Sequence, residues 1–171
     1  MARRHRVGPD RGTLLLRTSR QGVAAQAGHD LTIEVTRWSG EVIEDGGTAE
    51  LRVTAETASL RVLSGTGGVT TLTDSDRREI ERNARRLLDC DRHPEAVFTM
   101  GGGDPGTLTL RGRSGPFTLT VTPLGGGRYR GTGTVRQSDY GIKPYTAFLG
   151  MLKVADPVEV EAEVELTSDE E

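Results

Sequence analysis

The sequence predicts a mainly β protein of antiparallel strands, either a sandwich or a closed barrel of about eight strands, with one helix lying across the β structure. Three observations predict this class. Apolar and polar residues alternate with a period of two along much of the chain, whereas only one stretch has helical spacing. Glycine accounts for 23 of the 171 residues, and aromatic residues make up only 4%. So little side-chain bulk leaves open an interior that the protein's own side chains do not fill.

Five alternating runs predict strands that each have one apolar and one polar face. They lie at 31–36, 51–55, 107–111, 117–122 and 158–166. Clusters of glycine, proline and small polar residues predict turns between the runs, at 45–47, 101–106, 114–116 and 125–127. The short spacing between the later runs indicates hairpins and therefore antiparallel pairing. The length suits one domain, which we place at 12–166 with flexible termini at 1–11 and 167–171.

One amphipathic helix is predicted between the second and third of these runs. Asp76 is the predicted N-cap, and Glu79 three residues later completes a capping box. One apolar stripe follows at helical spacing, formed by Ile80, Ala84, Leu87 and Leu88. The arginines on the other face are interpreted as a solvated surface with acidic neighbours, and binding of acidic lipid or nucleic acid is the alternative.

The segment 143–153 is rich in apolar residues but does not alternate. It includes Tyr145, Phe148 and Met151, and a connection this apolar must bury against something. It therefore either caps the core or forms a lid over the mouth of a pocket.

Charge and cysteine content restrict the possible partners. The formal net charge is −3, from 22 basic and 25 acidic residues, so no nucleic-acid partner is expected. Cys90 is the single cysteine and cannot form an intramolecular disulfide. No apolar run approaches the roughly 18 to 20 residues that cross a bilayer, and the basic start of the chain is followed by Gly8 and Pro9 rather than by an apolar segment. We expect a cytoplasmic protein with no stable membrane insertion.

Few residues suggest chemistry at a catalytic or metal site. His29 beside Asp30 is a candidate base or metal ligand, but neighbours on a strand point to opposite faces, which favours a structural or exposed histidine. Cys90 and His93, three residues apart, lack the further ligands of a metal motif. No metal and no cofactor are expected. Arg136 and Asp139 have the spacing of an ion pair that fixes the following loop, and the alternative is a polar anchor for a ligand head group.

Four segments carry a family resemblance. They are Gly28-His29-Asp30-Leu31 continuing to Trp38-Ser39-Gly40-Glu41-Val42; Asp89 to Phe98, with proline four residues before phenylalanine; Arg136-Gln137-Ser138-Asp139-Tyr140-Gly141-Ile142; and Asp156-Pro157-Val158. In this order and spacing they resemble the YceI-like family, the bacterial polyisoprenoid-binding, lipocalin-like proteins, over about residues 12–166. The resemblance implies an antiparallel lipocalin-like barrel of about eight strands with a helix across one end. It also implies an interior that takes a long isoprenoid or a similar amphiphile.

The predicted function is therefore non-enzymatic binding, transport or sequestration of a long-chain amphiphile inside the barrel. The predicted wall residues are Val53, Phe98, Leu110, Leu119, Val135 and Val160. The mouth is assigned to Tyr145, Phe148 and Met151, and the candidate polar anchors are His29, Arg136 and Asp139. Two alternatives remain: a structural or protein-binding β domain with a filled core, and an enzyme that acts on a similar ligand through His29 or Asp139. An exposed edge on the final strand would permit a homodimer.

Overall fold

Two six-stranded antiparallel sheets form most of the protein, and a three-stranded sheet and one α-helix complete the part described. The computed structural model describes residues 2–22, 30–66, 72–147 and 152–166. The elements in chain order are β1 (Arg3–Val7), β2 (Gly12–Arg17), β3 (Arg20–Gln21), β4 (Asp30–Val35), β5 (Trp38–Asp45), β6 (Thr48–Glu56), β7 (Leu60–Thr66), α1 (Asp74–Leu87), β8 (Glu95–Gly101), β9 (Gly106–Leu110), β10 (Arg113–Phe117), β11 (Thr120–Gly125), β12 (Arg128–Arg136), a 3-10 helix (Gln137–Tyr140), β13 (Thr146–Ala147), β14 (Leu152–Val154) and β15 (Pro157–Glu165).

The strand order is β1-β5-β6-β8-β9-β10 in the first sheet and β11-β12-β15-β2-β4-β7 in the second, with β13-β14-β3 as the small sheet. The predicted mainly β class, the antiparallel pairing and the helix are confirmed. The closed barrel of about eight strands is not found, because neither large sheet closes on itself within the described ranges. The strands are also more numerous than predicted, and one predicted run, 117–122, is divided between the two sheets.

The clearest change of sheet involves two neighbouring corners. The chain passes from β4 to β5 at 36–37 and from β6 to β7 at 57–59. The Thr36 N–H donates to the Ser59 carbonyl at 2.8 Å, and the Glu56 N–H donates to the Arg37 carbonyl at 2.9 Å. Backbone pairing therefore continues around the corner, and one long bent hairpin joins the two sheets.

A similar break divides the predicted strand at 117–122. The first sheet's β10 ends at Phe117 and the second sheet's β11 begins at Thr120. The alternation survives the break, since Phe117, Leu119 and Val121 all face the space between the sheets. The face of each side chain was predicted correctly, but the continuous strand was wrong.

The turn predicted at 114–116 is also wrong, because these residues belong to β10. The chain reverses instead at Arg111 and Gly112, which have φ values of 52° and 73° and connect Leu110 to its partner Arg113. Two successive positive φ values match the twist of a tight hairpin. Pro116 fits within β10 because this is an edge strand, where a missing N–H is tolerated.

The helix begins earlier than predicted. Its N-cap is Thr73, whose hydroxyl accepts from the Asp76 N–H, while the Asp76 carboxylate accepts from the Thr73 N–H. Asp76 is thus the last residue of the capping box and was wrongly taken for the first. The helix packs along β7, and the Glu81 carboxylate accepts the Val62 N–H at 3.1 Å, which occupies a backbone donor on that edge strand.

Both predictions about the ends of the sheets need correction. Residues 3–7, within the terminus predicted to be flexible, form β1 and pair with β5, and His5 and Val7 are buried there. The final strand, β15, pairs with β12 on one side and β2 on the other, so it has no free edge for a dimer. Residues 167–171 lie outside the described ranges. Among the helices described, none is long and apolar enough to cross a membrane.

Candidate functional site: an apolar cavity between the sheets

The two large sheets and the helix enclose a cavity of about 810 Å³. Its walls are the apolar members of the alternating runs, because side chains along a strand point in turn to opposite faces. In β15 the inward residues Val158, Val160, Ala162 and Val164 line the cavity. The outward glutamates pair across the outer surface: Glu161 with Arg17 and Arg130, and Glu163 with Arg128. The alternation thus produces a charged exterior and an apolar interior from one strand.

The buried side chains form two separate clusters rather than one filled centre. One cluster surrounds Trp38, with Val7, Ile33, Val35, Leu60 and Val62. The other surrounds Phe98 and Phe117, with Val135, Tyr140 and Ile142. None of the larger side chains in the described ranges is less than 2% exposed. The two clusters therefore pack parts of the interior and leave the space between the walls open.

Two glycines keep bulky rings against the walls. A Cβ atom on Gly106 would lie 2.5 Å from Cε2 of Phe98, and a Cβ atom on Gly133 would lie 2.3 Å from Cζ of Phe117. The rings thus lie in the space that side chains at these positions would take, and they meet edge to face with centroids 5.4 Å apart. Any larger residue would push a ring toward the cavity. The glycines therefore help to keep the interior open.

The helix contributes a stripe of both polar and apolar residues to the wall. The predicted stripe of Ile80, Ala84, Leu87 and Leu88 faces the cavity, as expected from its spacing. Asp76, Glu79 and Asn83 lie on the same stripe and also line the cavity, although they were not predicted as site residues. The sequence could have indicated this, because these residues lie three or four positions from members of the apolar stripe and therefore share its face of the helix.

All seven predicted cavity residues that the structure describes line the cavity. They are Val53, Phe98, Leu110, Leu119, Val135, Tyr145 and Val160. Tyr145 is 38% exposed, so it lies at the rim. His29, Phe148 and Met151 were also predicted, but they lie outside the described residues. Leu14 and Leu16 of β2 were missed, because three consecutive leucines at 14–16 do not alternate.

The predicted anchors Arg136 and Asp139 are exposed and neither is among the described residues that line the cavity. No ion pair joins them in the described part of the chain. The 3-10 helix is held instead by Asp156, whose carboxylate accepts the Ser138 N–H at 2.7 Å and the Ser138 hydroxyl. The hydroxyl hydrogen bond is the main reason that the pKa of Asp156 is lowered, and the charge of Arg136 adds to it.

The rest of this loop is fixed by burial and by two arginines. Tyr140 is only 4% exposed, and burial, reinforced by the charge of Asp139, raises the pKa of its phenol. Gly141 has a φ of 69°, and the Arg111 guanidinium donates to its carbonyl. The Arg113 guanidinium occupies the place of a side chain at Gly141, since a Cβ there would lie 2.8 Å from its Cζ. These contacts make the segment a structural support beside the cavity.

Metal ligands do not cluster in the described residues, where no group of three or more His, Cys, Asp or Glu side chains is placed to hold an ion. Cys90 is buried, and the His93 ring packs over Gly112, with Cε1 2.8 Å from where a Cβ would be. The two residues therefore have separate structural surroundings.

Comparisons with known proteins agree with this architecture. The crystal structure of BcnA from Burkholderia cenocepacia superposes with a TM-score of 0.59 at 16% identity, covering 91% of this chain and 96% of that chain, so the two share a fold. A search of curated proteins finds no significant match. The sequence model of the YceI-like domain matches residues 16–166. The chain therefore belongs to the YceI-like family.

Proposed function

We propose that this protein binds a long-chain amphiphile between its two sheets and carries or sequesters it without chemical conversion. The observation that carries the proposal is the open cavity of about 810 Å³ with apolar walls. Pockets that hold small molecules typically measure about 300 to 1,000 Å³. Membership of a family that includes polyisoprenoid-binding proteins supports an isoprenoid as the ligand, and a fatty-acid-like chain has the same apolar chemistry.

The chemistry of the walls favours a long chain over a small metabolite. Burying one methylene group contributes about 0.8 kcal/mol, whereas association costs an estimated 4 to 15 kcal/mol. A tail of about ten methylene groups is therefore needed before burial offsets even a moderate association cost. Short metabolites cannot gain enough from an apolar wall, and a long chain can.

The two sheets act as a barrel-like container in this proposal. The bent hairpin through residues 36–37 and 57–59 joins the sheets on one side, and the helix covers the edge of β7. A tail inside this container would contact Val53, Leu110, Val135 and Val160, and Tyr145 would lie beside its exit. A structural domain with a filled core is disfavoured, because the side chains leave this volume open.

Native mass spectrometry of the purified protein is the first test. We expect an adduct with the mass of an amphiphile, which organic solvent releases for identification. After extraction, the protein should bind farnesol weakly and geranylgeraniol more tightly in a fluorescent-probe displacement assay. A protein with no adduct that also fails to bind long-chain isoprenoids or fatty acids would refute the proposal.

A matched pair of variants tests whether binding occurs inside the cavity. Ala162 lines the cavity in the middle of β15, between its register partners Gly131 and Leu14. Ala162→Phe should fill the interior, preserve the fold and weaken geranylgeraniol binding by about tenfold or more. Thr134→Phe is the control, because Thr134 is exposed on β12. Equal binding by both variants would place the ligand outside the cavity.

A further inference from the structure

The cavity wall carries no basic side chain among the described residues, although the chain contains 22 lysines and arginines. All of these lysines and arginines fall within the described ranges. The structure therefore describes every lysine and arginine of the chain, and none of them lines the cavity. Cations face the outer surface instead, as Arg17, Arg128 and Arg130 do in their pairs with the glutamates of β15.

Acidic side chains, in contrast, occur at five positions that line the cavity: Glu44, Glu50, Glu56, Asp76 and Glu79. All but Asp76 are exposed, so they lie at the rim of the cavity, and Glu56 is paired with Arg37 at 2.8 Å. Glu44 continues the Trp38 and Val42 series at the exposed end of β5, and Glu79 is an exposed member of the helix stripe that lines the cavity. Glu44 is 3.4 Å from the His5 imidazole. Glu79 has no ion-pair or hydrogen-bond partner among the residues described.

We infer that the cavity selects amphiphiles by the charge of the head group: it accepts a neutral or cationic head and discriminates against an anionic one. This inference rests on the proposed function and specifies the ligand class. An anionic head drawn toward the walls would lose water without gaining a basic partner, and unpaired burial of a charge is costly. The carboxylates would also repel it. An alcohol or an amine meets neither penalty, and an amine gains from the carboxylates.

The helix N-terminus does not compensate for the missing cations. Helix N-termini attract anions through free backbone N–H groups. Here the Thr73 N–H donates to the Asp76 carboxylate and the Asp76 N–H donates to the Thr73 hydroxyl, so two of these donors are already occupied. The Asp76 carboxylate adds a negative charge at the same place. This end of the helix therefore favours the same discrimination as the walls do.

The test compares three probes that share one tail: geranylgeraniol, geranylgeranylamine and geranylgeranyl phosphate. Dissociation constants are measured by probe displacement with the extracted protein at low and high salt. We expect the phosphate to bind about tenfold or more weakly than the alcohol, the amine to bind at least as well as the alcohol, and added salt to reduce the difference. Phosphate binding as tight as alcohol binding would overturn the inference and leave the proposed function intact. Binding of none of the three would refute the proposed function itself.

Charge-reversal variants link the selectivity to the rim. Glu79→Lys and Glu44→Lys each place an ammonium group on a different element at the rim of the cavity, and Glu159→Lys makes the same charge change on the outward series of β15. At least one of the two rim variants should raise affinity for the phosphate by roughly threefold or more over the Glu159→Lys control. If both rim variants fold and neither exceeds the control, the selectivity does not come from the rim and the inference fails.

Discussion

Gly133→Ala tests how the cavity is kept open. The new Cβ would lie 2.3 Å from Cζ and 2.8 Å from Cε1 of Phe117, and also 2.8 Å from the backbone oxygen of Thr118. Ordinary contact begins near 3.4 Å, so the ring must tilt toward the cavity and the backbone between β10 and β11 must shift. Overpacking of this kind costs about 1 to 3 kcal/mol. Loss of glycine flexibility in the unfolded chain offsets about 0.4 to 1 kcal/mol. The net destabilisation therefore falls between about 0 and 2.6 kcal/mol, with a central value of about 1.3 kcal/mol.

The assay is urea denaturation of the extracted protein, followed by geranylgeraniol binding. Gly101→Ala is the matched control: it lies in β8, and its Cβ would meet only Cγ of Glu50 at 3.9 Å. The control should be neutral or slightly stabilised. Gly133→Ala should be less stable and should also bind the probe more weakly, because the displaced ring occupies part of the cavity. Equal stability and equal binding of the two variants would refute the argument that this glycine positions the Phe117 ring.

Two further predictions concern the elements beside the cavity. Thr73→Ala removes the side-chain acceptor of the helix N-cap and should lower the free energy of unfolding by about 1 kcal/mol. Ser75→Ala, on the exposed first turn, is the control and should have little effect. If the two variants had the same urea midpoint, Thr73 would not be the cap. Asp156 has a folded-state pKa below the usual 3.8, so its stabilising contribution is present above that pH and is lost as the pH falls through the lower folded value. Asp156→Asn should therefore have a lower free energy of unfolding than the unaltered protein at neutral pH. This difference in free energy should become smaller as the pH falls, which acid titrations followed by circular dichroism can measure. A difference that stays constant with pH would contradict the role of the ionised carboxylate.

The sequence patterns correctly predicted the features that depend only on local backbone geometry, such as the face on which a side chain lies. Side chains alternate along any strand, so the residues Val158, Val160 and Ala162 could be assigned to one face before their strand neighbours were known. The helical stripe from Ile80 to Leu88 follows from the 3.6-residue period in the same way. Both assignments identified residues that line the cavity.

The errors arose where a residue's conformation depends on distant partners. Pro116 suggested a turn, and only the position of β10 at the edge of its sheet makes a strand acceptable there. The first residues of the chain lack apolar alternation, yet β1 forms because β5 offers a free edge to pair with. The sequence also could not predict which strand belongs to which sheet. The corners at 36–37 and 57–59, where the chain passes between sheets, are held by hydrogen bonds between segments that are distant in sequence.

The amino-acid order by itself determined which faces are apolar, where the helix runs and that the chain is a YceI-like protein, because periodicity and motif spacing are local properties. Only the tertiary structure decided that the apolar faces remain apart and enclose a space. That outcome depends on Phe98 and Phe117 lying over Gly106 and Gly133, contacts between segments that no pattern along the chain encodes. It also decided which charges surround that space, since the three-dimensional path of the chain turns the arginines outward and places the carboxylates of Glu44 and Glu79 at the rim.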